Sequence, residues 1–209
     1  MFLIKPSYEI LCGRPDVNFI AALARTCYKS EPNGVDTDAD KHLVSLLIKR
    51  GHESQLEHQS MTVRFVIDRG VSHELVRHRL AAYSQESTRY CNYRGGVTFV
   101  IPPWVDVKPG EYNYGLTYAN GPWFFHMLAC ERAYLGLLDL KQTPQQARSV
   151  LPNSLATTIV MTANIREWRH VFRLRCAKEA HPQMREVMIP LRDSLIDACP
   201  VMFEDLVRP

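Results

Sequence analysis

The sequence lacks the cysteine spacing of a disulfide-stapled or zinc-binding protein. Six cysteines occur in 209 residues, and they form no Cys-x-x-Cys pair. Scattered cysteines of this kind suit neither a disulfide framework nor a zinc site. We therefore expect reduced thiols, most of them buried.

Long apolar runs are missing as well. No stretch reaches the roughly 18 uninterrupted apolar residues that a membrane-spanning helix needs, and residues 1–6 do not form a basic segment that leads into an apolar run. We expect a cytoplasmic protein without a membrane partner.

The chain has little net charge and no dinucleotide-binding glycine motif. A formal charge of +3 is too small to indicate nucleic-acid binding by itself, and 46% apolar with 22% charged residues is typical of a globular protein. No Gly-x-Gly-x-x-Gly turn occurs, and the only paired glycines, Gly95 and Gly96, lack its context, which argues against a Rossmann FAD site.

Without a repeat, a low-complexity linker or a shift in composition, residues 1–209 are predicted to form a single domain.

Apolar periodicity and capping residues predict an α/β domain rich in helix. Three helices are expected in the first half of the chain: residues 17–28 after an Asp16 cap, a helix that Thr37 caps and that runs through Lys49 to Gly51, and a helix that Ser72 caps and that carries Leu75 and Val76 towards Arg77. Four more are expected later: a long helix from Gly121, a segment opened by Thr143 and Pro144, a helix that Asn164 caps and that runs to Arg175, and a last helix from Pro182. The expected strands cover residues 1–12, 61–67, 97–101 and 155–161, and a polar loop is expected at 31–34.

The most informative stretch is residues 77–90, which groups three arginines and a histidine with a short run of hydroxyl and amide side chains. Guanidinium groups offer paired donors to phosphate oxygens, and a Ser-x-Arg step can aim a hydroxyl and a guanidinium at one phosphate. The alternative is a helix end whose basic residues face water. The fixed spacing from Arg77-His78-Arg79 to Ser87 and Arg89 favours anion binding.

The order Arg-His-Arg, seven residues, Ser, one residue, Arg resembles the signature of the flavin-dependent thymidylate synthases. The resemblance runs from about residue 40 to 206. It implies a ThyX-like fold of the α/β (α+β) class, a central mixed or antiparallel sheet flanked by long helices, and a homotetramer with intersubunit active sites. It also implies reductive methylation of dUMP to dTMP, with methylenetetrahydrofolate as carbon donor and NADPH as reductant through FAD.

Further segments carry the same resemblance. Gly51-His52-Glu53-Ser54 and Glu57-His58 are similar to the family's segment ahead of the signature, which implies that Ser54 touches FAD and that His52 lies near the flavin. A zinc site is not expected here, because the metalloprotease pattern places its second histidine four residues after the first, whereas His58 follows His52 by six.

The segments at 147–152 and 164–175 resemble two later parts of the family pattern. Arg148 matches a phosphate-side arginine, Asn164 and His170 match FAD-binding positions, and Arg175 matches an arginine that contacts the pyrimidine. Some family members carry Asn at the position of His170. Taken singly, the arginines of this second segment also fit a salt-bridged surface: Arg166, Arg169 and Arg173.

The resemblance therefore implies two sets of site residues. FAD is expected to bind His52, Ser54, Arg77, His78, Arg79, Gln85, Asn164, Ile165, Arg166 and His170. The substrate dUMP is expected to bind Glu74, Arg77, Gln85, Glu86, Ser87, Thr88, Arg89, Arg148 and Arg175. Arg175 is the expected catalytic residue, and no metal is expected. Many members place other residues at Ala82 and Ser84-Gln85, so the hydrogen bonds of Gln85 need not follow the family.

Three alternatives remain open. Cys176 beside Arg175 is a candidate nucleophile, although isolated buried cysteines are far commoner. A nucleic-acid-binding module would use the arginines on backbone phosphates and lose affinity steeply with salt. A metal-dependent hydrolase would use histidines and lose activity to a chelator, the candidates being His52, His58, His73 and His78.

Overall fold

The computed structural model describes residues 1–30, 37–113 and 121–207, so the loop expected at 31–34 lies outside the described residues. The strands are β1 (Phe2–Ile4), β2 (Ser7–Cys12), β3 (Ser60–Asp68), β4 (Ala81–Gln85), β5 (Thr98–Val100), β6 (Gly110–Glu111) and β7 (Ala156–Asn164). The helices are α1 (Val17–Tyr28), α2 (Thr37–Lys49), α3 (Arg69–Leu75), α4 (Gly121–Asp139), α5 (Pro144–Ala147), α6 (Ile165–Arg175), α7 (Pro182–Ala198) and α8 (Pro200–Phe203).

Two sheets organise these strands. β1 lies at the centre of a three-stranded mixed sheet of order β5–β1–β6, parallel to β5 and antiparallel to β6. The second sheet has the order β2–β3–β7–β4. Sheets combined with long helices such as α4 and α7 confirm the expected α/β class. In the described part of the chain, no helix combines the length and apolar character that crossing a bilayer requires.

Capping residues set several helix boundaries, as the sequence predicted. The Asp16 carboxylate accepts hydrogen bonds from the N–H groups of Asn18 and Phe19 at the start of α1. Gly51 follows α2 with φ 73°, in the left-handed region where glycine is favoured. Ahead of α5, the side chain of Gln146 accepts a hydrogen bond from the Thr143 N–H at 2.9 Å.

The helix that leads to Arg77 begins earlier than expected. Its cap is Asp68, whose carboxylate accepts a hydrogen bond from the Val71 N–H at 2.9 Å. Ser72 lies inside α3, where its hydroxyl donates to the Arg69 carbonyl. The prediction of Ser72 as the cap was wrong, because Asp68, whose side chain caps a helix as well as serine does, stands four residues earlier.

Two other boundaries and one strand differ from the prediction. The strand expected over residues 1–12 is two strands of different sheets, separated at Pro6, which has no N–H to donate. α2 includes Thr37, the residue expected to cap it. β4 was not predicted, because its sequence Ala-Ala-Tyr-Ser-Gln has no alternation of apolar and polar residues.

The chain forms two compact units, each assembled from several segments. The first unit comprises Met1–Tyr8, Arg64–Arg77 and Tyr83–Val160, and the second unit comprises Glu9–Val63, His78–Ala82 and Met161–Pro209. Each has its own buried aromatic side chains, such as Phe99 and Phe124 in the first and Trp168 and Phe172 in the second. The single domain over residues 1–209 stays a prediction.

Candidate active site

Helix α6 carries several of the residues expected to bind flavin. Asn164 is its N-cap, with Oδ1 accepting a hydrogen bond from the Glu167 N–H at 2.8 Å. Trp168 is fully buried and fixes the rotation of the helix, so that Arg166 and His170 lie on the exposed face. The cap leaves the Asn164 side-chain NH2 group available as a donor.

Arg175, at the end of α6, is linked to His78 and through it to Glu167, and all three side chains are buried or half-buried. Its Nε donates a hydrogen bond to His78 Nε2 at 2.9 Å. On the other side of the ring, His78 Nδ1 lies 3.4 Å from Glu167 Oε1. His78 and Glu167 are both buried, so these contacts are largely shielded from water.

The imidazole of His78 is neutral at physiological pH. Burial lowers its pKa to about 4, and the positive charges of Arg175 and His170 act in the same direction. Because Nε2 accepts the Arg175 hydrogen bond, the single ring proton lies on Nδ1 and faces the Glu167 carboxylate. The ring therefore fixes the direction of the guanidinium.

One group of potential metal ligands occurs among the described residues, and it consists of His78, Glu167 and His170. It shares only His78 with the histidine set suggested by the sequence. The Arg175 guanidinium already binds the Nε2 lone pair of His78. A fixed positive charge at that position opposes binding of a second cation.

A cavity of about 650 Å³ in the second unit is lined by residues from α6 and from the segment around Glu53. Its polar wall includes Asn164, Arg166 and His170, which were all expected to bind flavin. Leu80 also lines it and is 76% exposed, which leaves an apolar surface open in the cavity. The volume is typical of a small-molecule or cofactor site.

Two carboxylates of this cavity, Glu53 and Glu57, were not assigned to it by the sequence analysis. Arg166 pairs with Glu57, and Arg173 pairs with Glu53 at 2.9 Å. Burial raises the pKa of Glu53, but hydrogen bonds and charges from Arg173 and Arg169 outweigh burial and lower the pKa below its usual value. The resemblance assigned their neighbours His52 and Ser54 to the flavin, and neither is among the described residues that line this cavity.

Arg169 is fully buried, so the interpretation of this residue as part of a salt-bridged surface was wrong. It donates to Glu53 at 3.1 Å, to Asp205 at 2.7 Å, and to the carbonyl of Met202. Because the rotation of α6 points this side chain inward, its charge is balanced inside the second unit. Arg166 and Arg173 are exposed and salt-bridged, as the surface interpretation predicted.

In the first unit, Gln85 and Glu86 are engaged by neighbouring side chains. Gln85 Nε2 donates to Ser72 at 2.9 Å and to Thr157 at 3.2 Å. Glu86 accepts a hydrogen bond from the Tyr93 hydroxyl at 2.5 Å, and burial followed by this bond raises the pKa of Tyr93 strongly. These contacts stabilise the end of β4 and the turn that follows it.

The turn after Glu86 brings Thr88 and Arg148 together. Arg148 Nη1 donates to the Thr88 hydroxyl at 3.1 Å, and Arg89 Nε donates to Gln145 at 2.9 Å. Both guanidinium groups are exposed, and among the described residues neither forms an ion pair with a carboxylate. Ser87 Oγ accepts a hydrogen bond from the Arg89 N–H. Two unneutralised cations beside two hydroxyls form a surface suited to an anion.

The remaining predicted residues differ in accessibility. His52, Ser54, Arg77 and Arg79 are exposed, and Glu74 is half-buried. The side chain of Ile165 is buried, and its N–H donates to the Gln59 carbonyl at 2.8 Å. The assignments of these residues to ligands stay predictions.

The thiol of Cys176 is a poor nucleophile. Burial raises its pKa to about 11, and the nearby Arg192 only partly offsets this. The thiol is therefore protonated at neutral pH, which argues against a nucleophilic role. Cys176 is half-buried, and the expectation that most of the six cysteines are buried was wrong, because only Cys130 and Cys199 are.

The chain is similar to proteins of one family over most of its length. The family model described as "Thymidylate synthase complementing protein" matches residues 14–201. The flavin-dependent thymidylate synthase of Geobacter sulfurreducens is 35% identical over 206 residues, which covers 94% of this chain and 84% of that protein. The enzyme of the same name from Mycobacterium avium is 35% identical over 191 residues, covering 87% of this chain and 76% of its own.

Solved structures show a similar fold. The UMP/dUMP methylase PolB from Streptomyces cacaoi bound with 5-Br dUMP has a TM-score of 0.78 and 25% identity, covering 98% of this chain and 96% of its own. The same methylase bound with 5-Br UMP has a TM-score of 0.77 and 22% identity, covering 98% and 95%.

Proposed function

The chain belongs to the family of flavin-dependent thymidylate synthases, and from this premise we propose that it converts dUMP to dTMP by reductive methylation. Methylenetetrahydrofolate is the proposed carbon donor and NADPH the proposed reductant, acting through FAD. The observation that carries the proposal is the family match over residues 14–201, which includes the whole anion-binding signature.

The second-unit cavity fits a flavin by the chemistry of its walls. The Asn164 amide, the His170 ring and the Arg166 guanidinium offer donors to the polar edge and phosphates of the cofactor, and Leu80 offers an apolar surface to its ring system. When bound, FAD supplies the redox chemistry, passing reducing electrons from NADPH to the substrate. The other residues expected from the family resemblance to contact FAD are His52, Ser54, Arg77, His78, Arg79, Gln85 and Ile165.

The first-unit turn is the proposed site for the dUMP phosphate. Arg89 and Arg148 would neutralise its charge, and the hydroxyls of Ser87 and Thr88 would donate to its oxygens. Glu74, Arg77, Gln85 and Glu86 are the other residues proposed to bind the nucleotide. Since the Glu86 carboxylate accepts bonds from Tyr93 and the Thr158 N–H, its contribution is to hold the turn in place.

Arg175 is the proposed catalytic residue. A guanidinium against the pyrimidine favours the negative charge that develops as the ring becomes nucleophilic at carbon five. A preoriented donor in a site shielded from water contributes about 3–4 kcal/mol in comparable cases. The contact with neutral His78 supplies that orientation before substrate binds.

We further propose a homotetramer with active sites between subunits, working in the cytoplasm without nucleic-acid or membrane partners. The support for this arrangement is the family resemblance. Within one chain, the residues proposed for the phosphate fall in the first unit and most of those proposed for flavin in the second.

The first experiment is a visible absorption spectrum of the freshly purified protein, recorded with and without dUMP, followed by chromatographic detection of dTMP. A flavin spectrum that dUMP perturbs, together with dTMP formation that depends on folate and NADPH, is the expected result. A colourless protein that does not bind added FAD contradicts the proposal.

Variants of the turn separate nucleotide binding from flavin binding. Ser87→Ala and Arg89→Ala are expected to raise the dUMP concentration needed for half-maximal rate by about tenfold, because a charge-assisted hydrogen bond is lost, while bound FAD is retained. Arg94→Ala is the matched control, since Arg94 is exposed on the same loop and, in the described part of the chain, pairs with Asp139 alone. Loss of flavin with unchanged dUMP dependence would reverse the assignment.

A further inference from the structure

None of the roles proposed above uses a second cavity of about 630 Å³ in the second unit. It is formed by the end of α6, the segment after it, α7 and the carboxyl-terminal turn. Four cations and two carboxylates line it, and they are Arg173, Lys178, Arg185, Arg192, Glu179 and Asp205. The cavity therefore has an excess of positive charge.

The Arg185 side chain has a buried hydrogen-bond donor that is not satisfied. Its Nε is inaccessible to solvent and has no hydrogen-bond partner. Leaving a buried charged donor unsatisfied costs free energy, and such atoms in native proteins usually indicate an unseen partner. A bound anion would satisfy this donor.

The carboxylates near the cavity are engaged elsewhere or too few to balance the cations. Asp205 is bound by the buried Arg169, and Arg192 pairs with Asp193, its neighbour in sequence. Among the described residues, neither Lys178 nor Arg185 forms an ion pair. The Cys176 thiol, which also lines the cavity, is protonated and supplies no negative charge.

The position of the cavity limits which ligand would reach it. Arg173 lines both this cavity and the one proposed for flavin, so the two are neighbours in the second unit. Besides dUMP, the proposed reaction uses two co-substrates that approach a flavin and carry several negative charges. These are NADPH, with its phosphates, and the reduced folate, with its glutamate carboxylates.

We propose that this cavity is a binding site for the anionic tail of a co-substrate, in which Arg185, Arg192 and Lys178 hold a phosphate or carboxylate group. The general site rests on the excess of cations and on the unpartnered Arg185 donor. The choice of a co-substrate as its occupant rests on the proposed function.

The test of the anion site does not depend on turnover. Tripolyphosphate, added to protein saturated with any FAD and dUMP it binds, should raise the melting temperature of the natural protein through preferential binding to the folded state. Lys178→Gln and Arg185→Gln should lose most of that rise. Lys178 is exposed, so its variant stays informative if Arg185→Gln fails to fold. Arg14→Gln, an exposed cation of the same unit outside both cavities, should behave as the natural protein does.

Two kinetic series identify the source of the anion. If the cavity binds a phosphate of NADPH, the variants should need about tenfold more NADPH for flavin reduction. If the cavity binds the folate tail, the natural protein should need less of a polyglutamylated folate than of the monoglutamate for half-maximal rate. The variants should need the two folates at similar concentrations. In both cases bound flavin and the spectral response to dUMP should be unchanged.

The outcomes separate the two proposals. If the protein is colourless and inactive but tripolyphosphate raises its melting temperature, and the variants lose that rise, the result supports the anion site and contradicts the synthase function. An active flavoprotein in which Lys178→Gln and Arg185→Gln alter neither the melting shift nor either kinetic series overturns the anion site and leaves the synthase function standing.

Discussion

At the scale of single residues, the neutral state of His78 controls how Arg175 is held. An imidazolium would carry a proton on Nε2 and could no longer accept the hydrogen bond from Arg175. It would also place two positive charges 2.9 Å apart. Burial keeps the proton off Nε2, so the buried position of His78 is part of the proposed mechanism.

The lowered pKa of His78 makes stability depend on pH. The unfolded chain takes up a proton near pH 6.5, whereas the folded protein does so only near pH 4. In that window the unfolded state binds more protons, so the free energy of unfolding should decrease as pH falls, by at most about 1.4 kcal/mol per pH unit from this group. Urea unfolding between pH 7 and 4 measures it. His78→Asn should lack this component, and an identical slope in both proteins would contradict the assignment.

Replacing Arg175 should affect chemistry more than cofactor binding. Arg175→Ala removes a preoriented charge and should reduce turnover by about a hundredfold or more, with a much smaller effect on bound FAD. Arg175→Lys should also be impaired, because an ammonium does not reproduce the geometry of the Nε hydrogen bond to His78. Turnover and flavin content, measured on the same preparations with Leu174→Ala as control, separate the effects. An equal loss of both in Arg175→Ala would contradict the role.

At the scale of elements, the start of α6 serves the helix and the proposed cofactor with one side chain. Asn164 accepts the Glu167 N–H through its carbonyl oxygen, and its NH2 group is left for a ligand. Asn164→Ala should destabilise the protein by about 1 kcal/mol through loss of the cap and should also weaken FAD binding. Asn164→Asp should retain the cap and stability but weaken FAD binding, because it has no NH2 donor. Chemical unfolding and flavin titration test both variants, and unimpaired flavin binding in Asn164→Asp would exclude the donor role.

The sequence predicted elements better than their boundaries. α1 and α6 were located correctly because Asp16 and Asn164 are good caps ahead of clear helical periodicity. α3 was placed too late because Asp68 and Ser72 are chemically equivalent caps, and the choice between them depends on where the chain turns after β3. The order of strands and the short β4 follow from pairing between distant residues, which no local pattern encodes.

For the proposed site, the sequence suggested residues but not their contacts. Motif spacing predicted roles for Arg148, Asn164 and Arg175, but it carried no information about which groups they would contact, such as Thr88 for Arg148 and His78 for Arg175. Glu167 was not singled out, although its position three residues after the Asn164 cap is a known pairing position at helix starts. The burial of Arg169 depends on Asp205, 36 residues away, and therefore on the folded packing.

At the scale of the whole molecule, Arg169 connects three distant parts of the second unit. It binds Glu53 ahead of β3, Asp205 near the carboxyl end, and the Met202 carbonyl in α8. Removing the buried guanidinium leaves the Met202 carbonyl without this donor and Glu53 with the more exposed Arg173 as its remaining cation, so Arg169→Met should reduce the free energy of unfolding by about 3–5 kcal/mol.

Arg173→Met is the matched control for Arg169→Met. Arg173 pairs with the same carboxylate of Glu53, but its side chain is 38% exposed whereas that of Arg169 is fully buried, so its loss should cost about 1 kcal/mol or less. Both variants are compared by urea unfolding. Equal destabilisation would mean that the buried position of Arg169 has no special importance for the second unit.

The aromatic core of α6 also gives the protein an internal optical reporter. Trp168 stacks on Phe172, donates its indole N–H to the Met61 carbonyl, and is shielded from water. Its fluorescence should be blue-shifted relative to that of the exposed Trp104. Flavins absorb where such a tryptophan emits, so energy transfer from the helix that lines the cavity would report cofactor loading in real time, without any label.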